Sequence, residues 1–348
     1  MSIDRSIDLH RRNWPLIIGT AMLGVFILTA IFADLIAPYD AGEQSRREPA
    51  APAATIAFAD GHPIVKGVRM TDPISRTYEI DETRPAEIRF FTRGYHYRLL
   101  GVLPLDVHLF GTENADDAVR INLLGTDDLG RDRFSRLLAA IRFSLIVCPL
   151  GALLASVLGV LIGTASGYAG HLADTAIMGV TDAVISLPSL IIILAARVAF
   201  PLELPPLTAA AMLITIFTLT GWAEMARLAR GLVRKTRGTD YIAAAKVSGV
   251  RPAGILFRHI LPNIARPLIT QATLILPAFL LAEAALSYLG VGLQEPAASL
   301  GNMLSSAGDI DQLKQHPLLL LSPAIAIALF VLAVRLLNMG IKEKDASN

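Results

Sequence analysis

The sequence predicts an all-α membrane protein with six transmembrane helices and a large extracytoplasmic insertion between helices 1 and 2. Three observations predict it. The chain of 348 residues is 53% hydrophobic and only 18% charged, with a mean hydropathy of +0.53. Soluble domains are about 45–50% apolar and about 25% charged. The apolar residues gather in runs close to the length of about 20 that one bilayer crossing needs. The cations gather in one segment. Lys+Arg is 31 and Asp+Glu is 30, a formal net of +1, which argues against a nucleic-acid partner. The single cysteine, Cys148, excludes an internal disulfide and a cysteine-based metal site.

The spans follow in order. Asn13–Ala33 carries no charge, nor does Phe143–Gly170. Thr175–Ala196 is interrupted only by Asp182. Leu204–Ala223 is uncharged, Pro267–Gln294 is broken only by Glu283, and Pro317–Val334 closes the series. The first run is longer than a signal-peptide core and no Ala-x-Ala site follows it, so it reads as a retained anchor. Arg227–Arg266 holds Arg227, Arg230, Arg234, Lys235, Arg237, Lys246, Arg251, Arg258 and Arg266 against one acid, Asp240. Cation-rich short loops face the cytoplasm. The links Phe200–Glu203 and Glu295–His316, with Lys314 alone, then lie outside. Both termini, with Arg5, Arg11, Arg12, Lys342 and Lys344, lie inside. Residues 1–36 are the N-terminus and first span, and 37–135 the insertion. Residues 136–341 are a five-helix core carrying the cytoplasmic loop 227–266, and 342–348 a cytoplasmic tail.

Within the insertion, Ala41–Ala57 is rich in Ala and Pro and reads as a flexible or extended link. From Pro63 to Phe110, short apolar and aromatic pieces such as Ile88–Phe91 and Tyr95–Val102 alternate with Gly and Pro. That pattern predicts a small folded unit with some strands.

The cytoplasmic loop contains Tyr241–Asn263, "YIAAAKVSGVRPAGILFRHILPN". Thr239 or Asp240 suits a helix N-cap, Ala243, Ala244 and Ala245 favour helix, and Gly249 suits its end. Pro252 fits the first turn of a second helix, and Pro262 would stop it. A small-residue face flanked by cations suits docking into a groove of a partner protein. The same composition also suits a basic loop held at anionic membrane lipid. Spacing alone leaves both open.

This stretch resembles the cytoplasmic motif of ABC-importer permeases: Glu-Ala-Ala, three residues, Gly, nine residues, Ile, one residue, Leu-Pro. Ala244, Ala245, Gly249, Leu261 and Pro262 fall on that spacing, Ala243 stands in place of Glu, and His259 in place of Ile. Those departures are similar to the dipeptide/oligopeptide/nickel branch. So are "GTDDLGRDRFSRLLAAIRFSL" (Gly125–Leu145), "GTASGYAGHLADTAIMGVTDAVISLPSL" (Gly163–Leu190) and "AEAALSYLGVGLQEPAASLGNML" (Ala282–Leu304). The insertion resembles the branch only loosely, and the tail after Arg335 departs from it.

The resemblance implies a type I permease subunit in a bacterial inner membrane. It implies a second, homologous permease, two ABC ATPase subunits and an extracytoplasmic solute-binding protein. ATP and magnesium would sit on the ATPases, and this chain would bind no cofactor. The sequence contains no Gly-Lys dipeptide, so a Walker A loop is not expected and the chain reads as a non-enzyme. The implied cargo is peptides or peptide-like solutes, with nickel chelates, opines and sugar conjugates as alternatives. In that reading the helix from Asp240 to Gly249 is a rigid lever moved by the ATPases. The competing readings are a membrane enzyme with a catalytic insertion and a scaffold that binds without transporting.

Intramembrane charges mark sites by default. Asp182 and Glu283 are therefore candidates for the translocation path, the plainer reading of each being a structural partner. Glu224 and Arg227 are spaced to pair locally. Gly159, Gly163 and Gly167 have the spacing of close helix packing. Asp127, Arg131 and Asp132 suit the start of an outer helix. The seven histidines show no ligand spacing, so no metal site is expected.

Overall fold

The computed structural model describes residues 13–59, 61–73, 76–112, 119–201, 204–305 and 317–347. Arg5, Arg11, Arg12, Glu203, Lys314 and His316, used above for orientation and metal binding, lie outside the described residues.

Five helical segments are long and apolar enough to cross a membrane: Trp14–Ile31, Arg133–Tyr168, Pro206–Arg237, Pro252–Tyr288 and Ser322–Lys342. The predicted third span is not one straight helix. It is a pair, His171–Ser186 and Ser189–Val198, bent by 90° at Leu187–Pro188. Proline disfavours helix at the residue before it, and Leu187 has an extended ψ of 137°. The pair makes a sixth span only if it crosses as one unit.

The helices are α1 (Trp14–Ile31), α2 (Ala33–Ile36), α3 (Arg133–Tyr168), α4 (His171–Ser186), α5 (Ser189–Val198) and α6 (Pro206–Arg237). Then come α7 (Asp240–Val247), α8 (Pro252–Ile255), a π-turn at Leu256–Ile260, and α9 (Leu261–Tyr288). The last are α10 (Leu300–Ser305), α11 (Pro317–Leu320) and α12 (Ser322–Ser347). The final helix therefore runs through the boundary predicted at 342.

The seam between α3 and α6 organises the bundle. A Cβ on Gly163 would lie 2.2 Å from the Ala226 carbonyl oxygen, and one on Gly159 2.5 Å from that of Trp222. A Cβ on Gly167 would meet Val233 at 2.8 Å. The backbones thus approach where no side chain intervenes, as the glycine spacing predicts. Phe217 of α6 stacks on Phe279 of α9 at 4.5 Å. The terminal helices make a second close pair. A Cβ on Gly19 of α1 would sit 2.5 Å from Leu337 N of α12, and Asn13 Nδ2 donates to Gly340 O at 2.6 Å.

The fold is not all-α, because the insertion holds an antiparallel sheet. Its strands β1 (Thr55–Ala59), β2 (His62–Asp72), β3 (Thr77–Leu99) and β4 (Leu103–Thr112) lie in chain order. β2 pairs with the first part of β3, with Val68 opposite Ile80. The second part of β3 pairs with β4, with Phe90 opposite Phe110. His108 of β4 anchors the sheet to the helices. Its ring is buried, with Nδ1 2.8 Å from Asp34 O of α2 and Nε2 3.0 Å from Tyr95 O. The Ala/Pro link is extended but pinned. Ala51 N donates to Thr126 Oγ1 at 2.8 Å, and Ala54 N to Asn122 O at 2.8 Å.

Where the insertion meets the bundle, Asp132 caps α3, its Oδ2 accepting from Ser135 N and Oγ at 2.7 Å. Burial pushes its carboxyl up to about 6. Asp127 Oδ2 accepts from Arg131 Nε at 2.6 Å, and Arg136 reaches Glu295 at 2.9 Å. Arg131 also contacts Glu295. Glu295 thereby holds the segment after α9 onto the start of α3.

Filling the seam should cost far more than filling open space. Gly163→Ala is expected to lose roughly 1–3 kcal/mol, the scale of core overpacking. Gly179→Ala, with nothing within 4 Å of the new Cβ, should be neutral or slightly stabilising. Thermal unfolding of the two variants in detergent checks the contrast.

Candidate functional site

The predicted loop forms a helical elbow at the end of the bundle opposite the sheet. The helix expected at Asp240 begins there, but no side chain caps it. Thr239 supplies its backbone carbonyl to Ile242 N and Ala243 N, while its hydroxyl donates back to Thr236 O at 2.6 Å. α7 then buries one residue, Ile242. Asp240, Ala243 and Ala244 are exposed and Ala245 is half-buried.

Gly249 ends the helix in the left-handed conformation, with φ +77°. Val250 N closes back on Ala245 O at 3.1 Å and Gly249 N on Lys246 O at 3.0 Å. These bonds satisfy carbonyls that a helix end leaves open. A side chain at this φ would be strained, and nothing occupies the space around it.

Pro252 opens the next helix as expected, but Pro262 does not stop it. Residues 252–288 are continuous through the π-turn, and Pro262 sits in the first turn of α9. Proline lacks only an N–H there, and the wider π spacing before it changes the hydrogen-bond register at that point. His259 lies half-buried in the π-turn, Leu261 is half-buried and Pro262 is exposed. Asn263 Nδ2 donates to Tyr241 Oη at 3.0 Å and braces the elbow. The outer face combines exposed Val247 (90%) and Phe257 (67%) with the exposed cations Lys246, Arg251 and Arg258.

Three of the cations read as loop charges bond to the α3–α4 region instead. Asp174 of α4 accepts from Arg230 at 2.6 Å through both oxygens, from Arg234 at 2.5 Å and from Ser166 at 2.5 Å. Arg237 Nη1 donates to Gly167 O at 2.7 Å and covers the Tyr168 ring. The elbow is therefore bolted to the α3–α4 turn. The sequence shows Asp174 as one acid three residues after His171, and no spacing rule links it to α6.

The two intramembrane acids have partners. Arg227 pairs with Asp182 across helices at 2.5 Å, rather than with Glu224 on its own helix. Glu283 is fully buried, with Oε2 accepting from Ser144 Oγ and Oε1 from Ser287 Oγ, each at 2.9 Å. The Ser144 bond couples α9 to α3, while Ser287 braces the carboxylate from one turn along α9 itself. Neither acid borders the cavity at the bend, which measures about 440 Å³ and is lined by Pro188, Ser189, Thr220, Glu224, Gln271 and Phe279 among others.

Apolar helices of bilayer length, packed through glycine seams and carrying one exposed elbow, define a multi-pass integral membrane protein. The chain belongs to the family of binding-protein-dependent transport system inner membrane components, which matches residues 156–342. The N-terminal TM domain of oligopeptide transport permease C matches residues 11–52. The Bacillus subtilis oligopeptide transport system permease protein OppC is 33% identical over 219 residues, covering 63% of this chain and 69% of the relative. The dipeptide transport system permease protein DppC of the same organism is 36% identical over 219 residues, covering 63% and 66%. The di/tripeptide permease protein DppC of Pseudomonas aeruginosa is 34% identical over 221 residues, covering 64% and 70%.

Glu283 yields a direct check of its bonding. Glu283→Ala strands Ser144 and Ser287 and opens a void, and is expected to cost about 2–4 kcal/mol. Glu283→Gln keeps an amide within reach of both serines and should cost less than half as much. Thermal unfolding of the two variants measures the difference.

Proposed function

We propose that this chain is the transmembrane permease subunit of an ATP-driven importer, forming half of a pathway for peptides or peptide-like solutes. In this reading the bent pair crosses as the third of six spans, both termini and the elbow are cytoplasmic, and the sheet is outside. The cation-rich elbow supports that orientation. A second permease completes the pathway and a solute-binding protein delivers cargo at the outer face. Two ATPases, which carry the ATP and magnesium, dock on α7. The peptide preference rests on the names of the relatives, all peptide permeases.

The observation that carries the coupling role is the elbow itself. α7 exposes small residues beside Val247 and Phe257, so it fits a groove, while Asp174 and Arg237 clamp its base to the bundle. A helix fixed at its root and bare at its face transmits a push as a rigid body. Allostery of this kind needs a partner whose contacts differ between two states.

The test is Gly249→Asp in the assembled importer. Aspartate tolerates the left-handed conformation at a cost of about 1–2 kcal/mol, so the subunit should still assemble. Binding-protein-dependent uptake in vesicles is expected to fall roughly tenfold or more, the effect of losing about 1.4 kcal/mol of coupling. Normal uptake by the variant would refute the assignment of α7 as the coupling helix.

A further inference from the structure

The cavity at the bend of α4–α5 lies midway along the bundle. It is walled by α6 at residues 220–224 and by α9 at residues 271–282. Its lining is largely apolar, with Ser189, Thr220 and Gln271 as neutral polar groups and Glu224 as the one charged residue. Glu224 directly follows the uncharged stretch of α6, so its carboxylate stands at the margin of the apolar zone.

The charges on the surrounding elements are spoken for. Arg227, one turn along α6, is taken by Asp182 of α4 at 2.5 Å. Arg197 of α5 turns away to the carbonyls of Phe200 and Pro201 at 3.1 and 2.9 Å. α9 lines the cavity with neutral Gln271, its Glu283 is held by Ser144 and Ser287, and its Arg266 is partnered as well. Glu224 has no hydrogen bond or ion pair among the described residues. Its carboxylate is exposed at the margin of the apolar zone and is open to a cation entering the cavity.

We infer that Glu224 is a solute-contacting residue, whose carboxylate receives the ammonium group of a peptide-like solute as it passes through this cavity. One carboxylate among neutral groups matches a monovalent amine, since a bound calcium ion needs six to eight oxygens. The apolar walls at Ile193 and Phe279 suit side chains of no fixed identity. The inference rests on the permease reading above and adds to it a residue and a chemical group.

The test reconstitutes the assembled importer with its solute-binding protein in vesicles and measures tri-alanine uptake per ATP hydrolysed. ATP-driven uptake by the wild type bears on the permease reading, and its absence would overturn both. With that uptake in hand, Glu224→Gln is expected to lower uptake per ATP about tenfold, the scale of a lost charge-assisted bond. Glu224→Asp should recover most of it. Unchanged uptake per ATP in Glu224→Gln would overturn the inference and leave the permease reading standing.

A second readout needs no turnover. The sole native thiol, Cys148, is buried, so a methanethiosulfonate ethylammonium reagent reports on Glu224→Cys. Modification that slows in the presence of tri-alanine is expected. A thiol at 224 that does not react, or reacts at the same rate with tri-alanine present, would overturn the inference.

Discussion

The fold depends on the backbone contact between α3 and α6. In lipid, helices gain little from burying one apolar surface against another, so association rests on close packing. Gly159, Gly163 and Gly167 supply it, bringing the Ala226 carbonyl oxygen of α6 to 2.2 Å from a notional Cβ on Gly163. Both helices outlast the bilayer. α3, with 36 residues, extends about 54 Å at 1.5 Å per residue. The excess length carries charge. At one end Asp127, Arg131, Arg136 and Glu295 gather the insertion and the segment after α9. At the other, Asp174 collects Arg230 and Arg234 and fixes the root of the elbow. A rigid seam with an ion-paired clamp at each end ties the small helix at one tip to the bundle as a whole.

The distribution of satisfied charge then separates scaffold from site. Glu283, Asp182 and Asp174 each have partners, and each ties two elements together. Charged pairs held in low dielectric are hard to break, because removing one partner strands the other. Glu224 stands apart from this pattern, and so does the bare face of α7.

Much of this was legible in the sequence. The charge-free runs mark the five long helices, because an apolar run of that length has few other uses. The glycine spacing reads directly as a helix seam, and Gly249 as a helix end. Ile88–Phe91 and Tyr95–Val102 signal strands, though not that a single strand from Thr77 to Leu99 would serve two neighbours in turn. Pro188 was visible, but a proline can kink a helix or break it, and local sequence does not set the angle. Pro262 departs from its expected role for the related reason that a proline can open a helix turn as readily as close one. The pairings failed most. Arg227 has Glu224 three residues before it and chooses Asp182, 45 residues away. Helical spacing describes neighbours on one helix, whereas the choice is made by whichever helix packs alongside.

The measurement that tests the account most directly places a cysteine at Ala244, on the exposed face of α7, in a Cys148→Ala background. The chain is cross-linked in native membranes and the products are identified by mass spectrometry. An adduct with an ABC ATPase is expected, recovered together with a second permease and a solute-binding protein. A cysteine at 244 that reacts freely with a soluble thiol reagent, with no ATPase recovered, would contradict it.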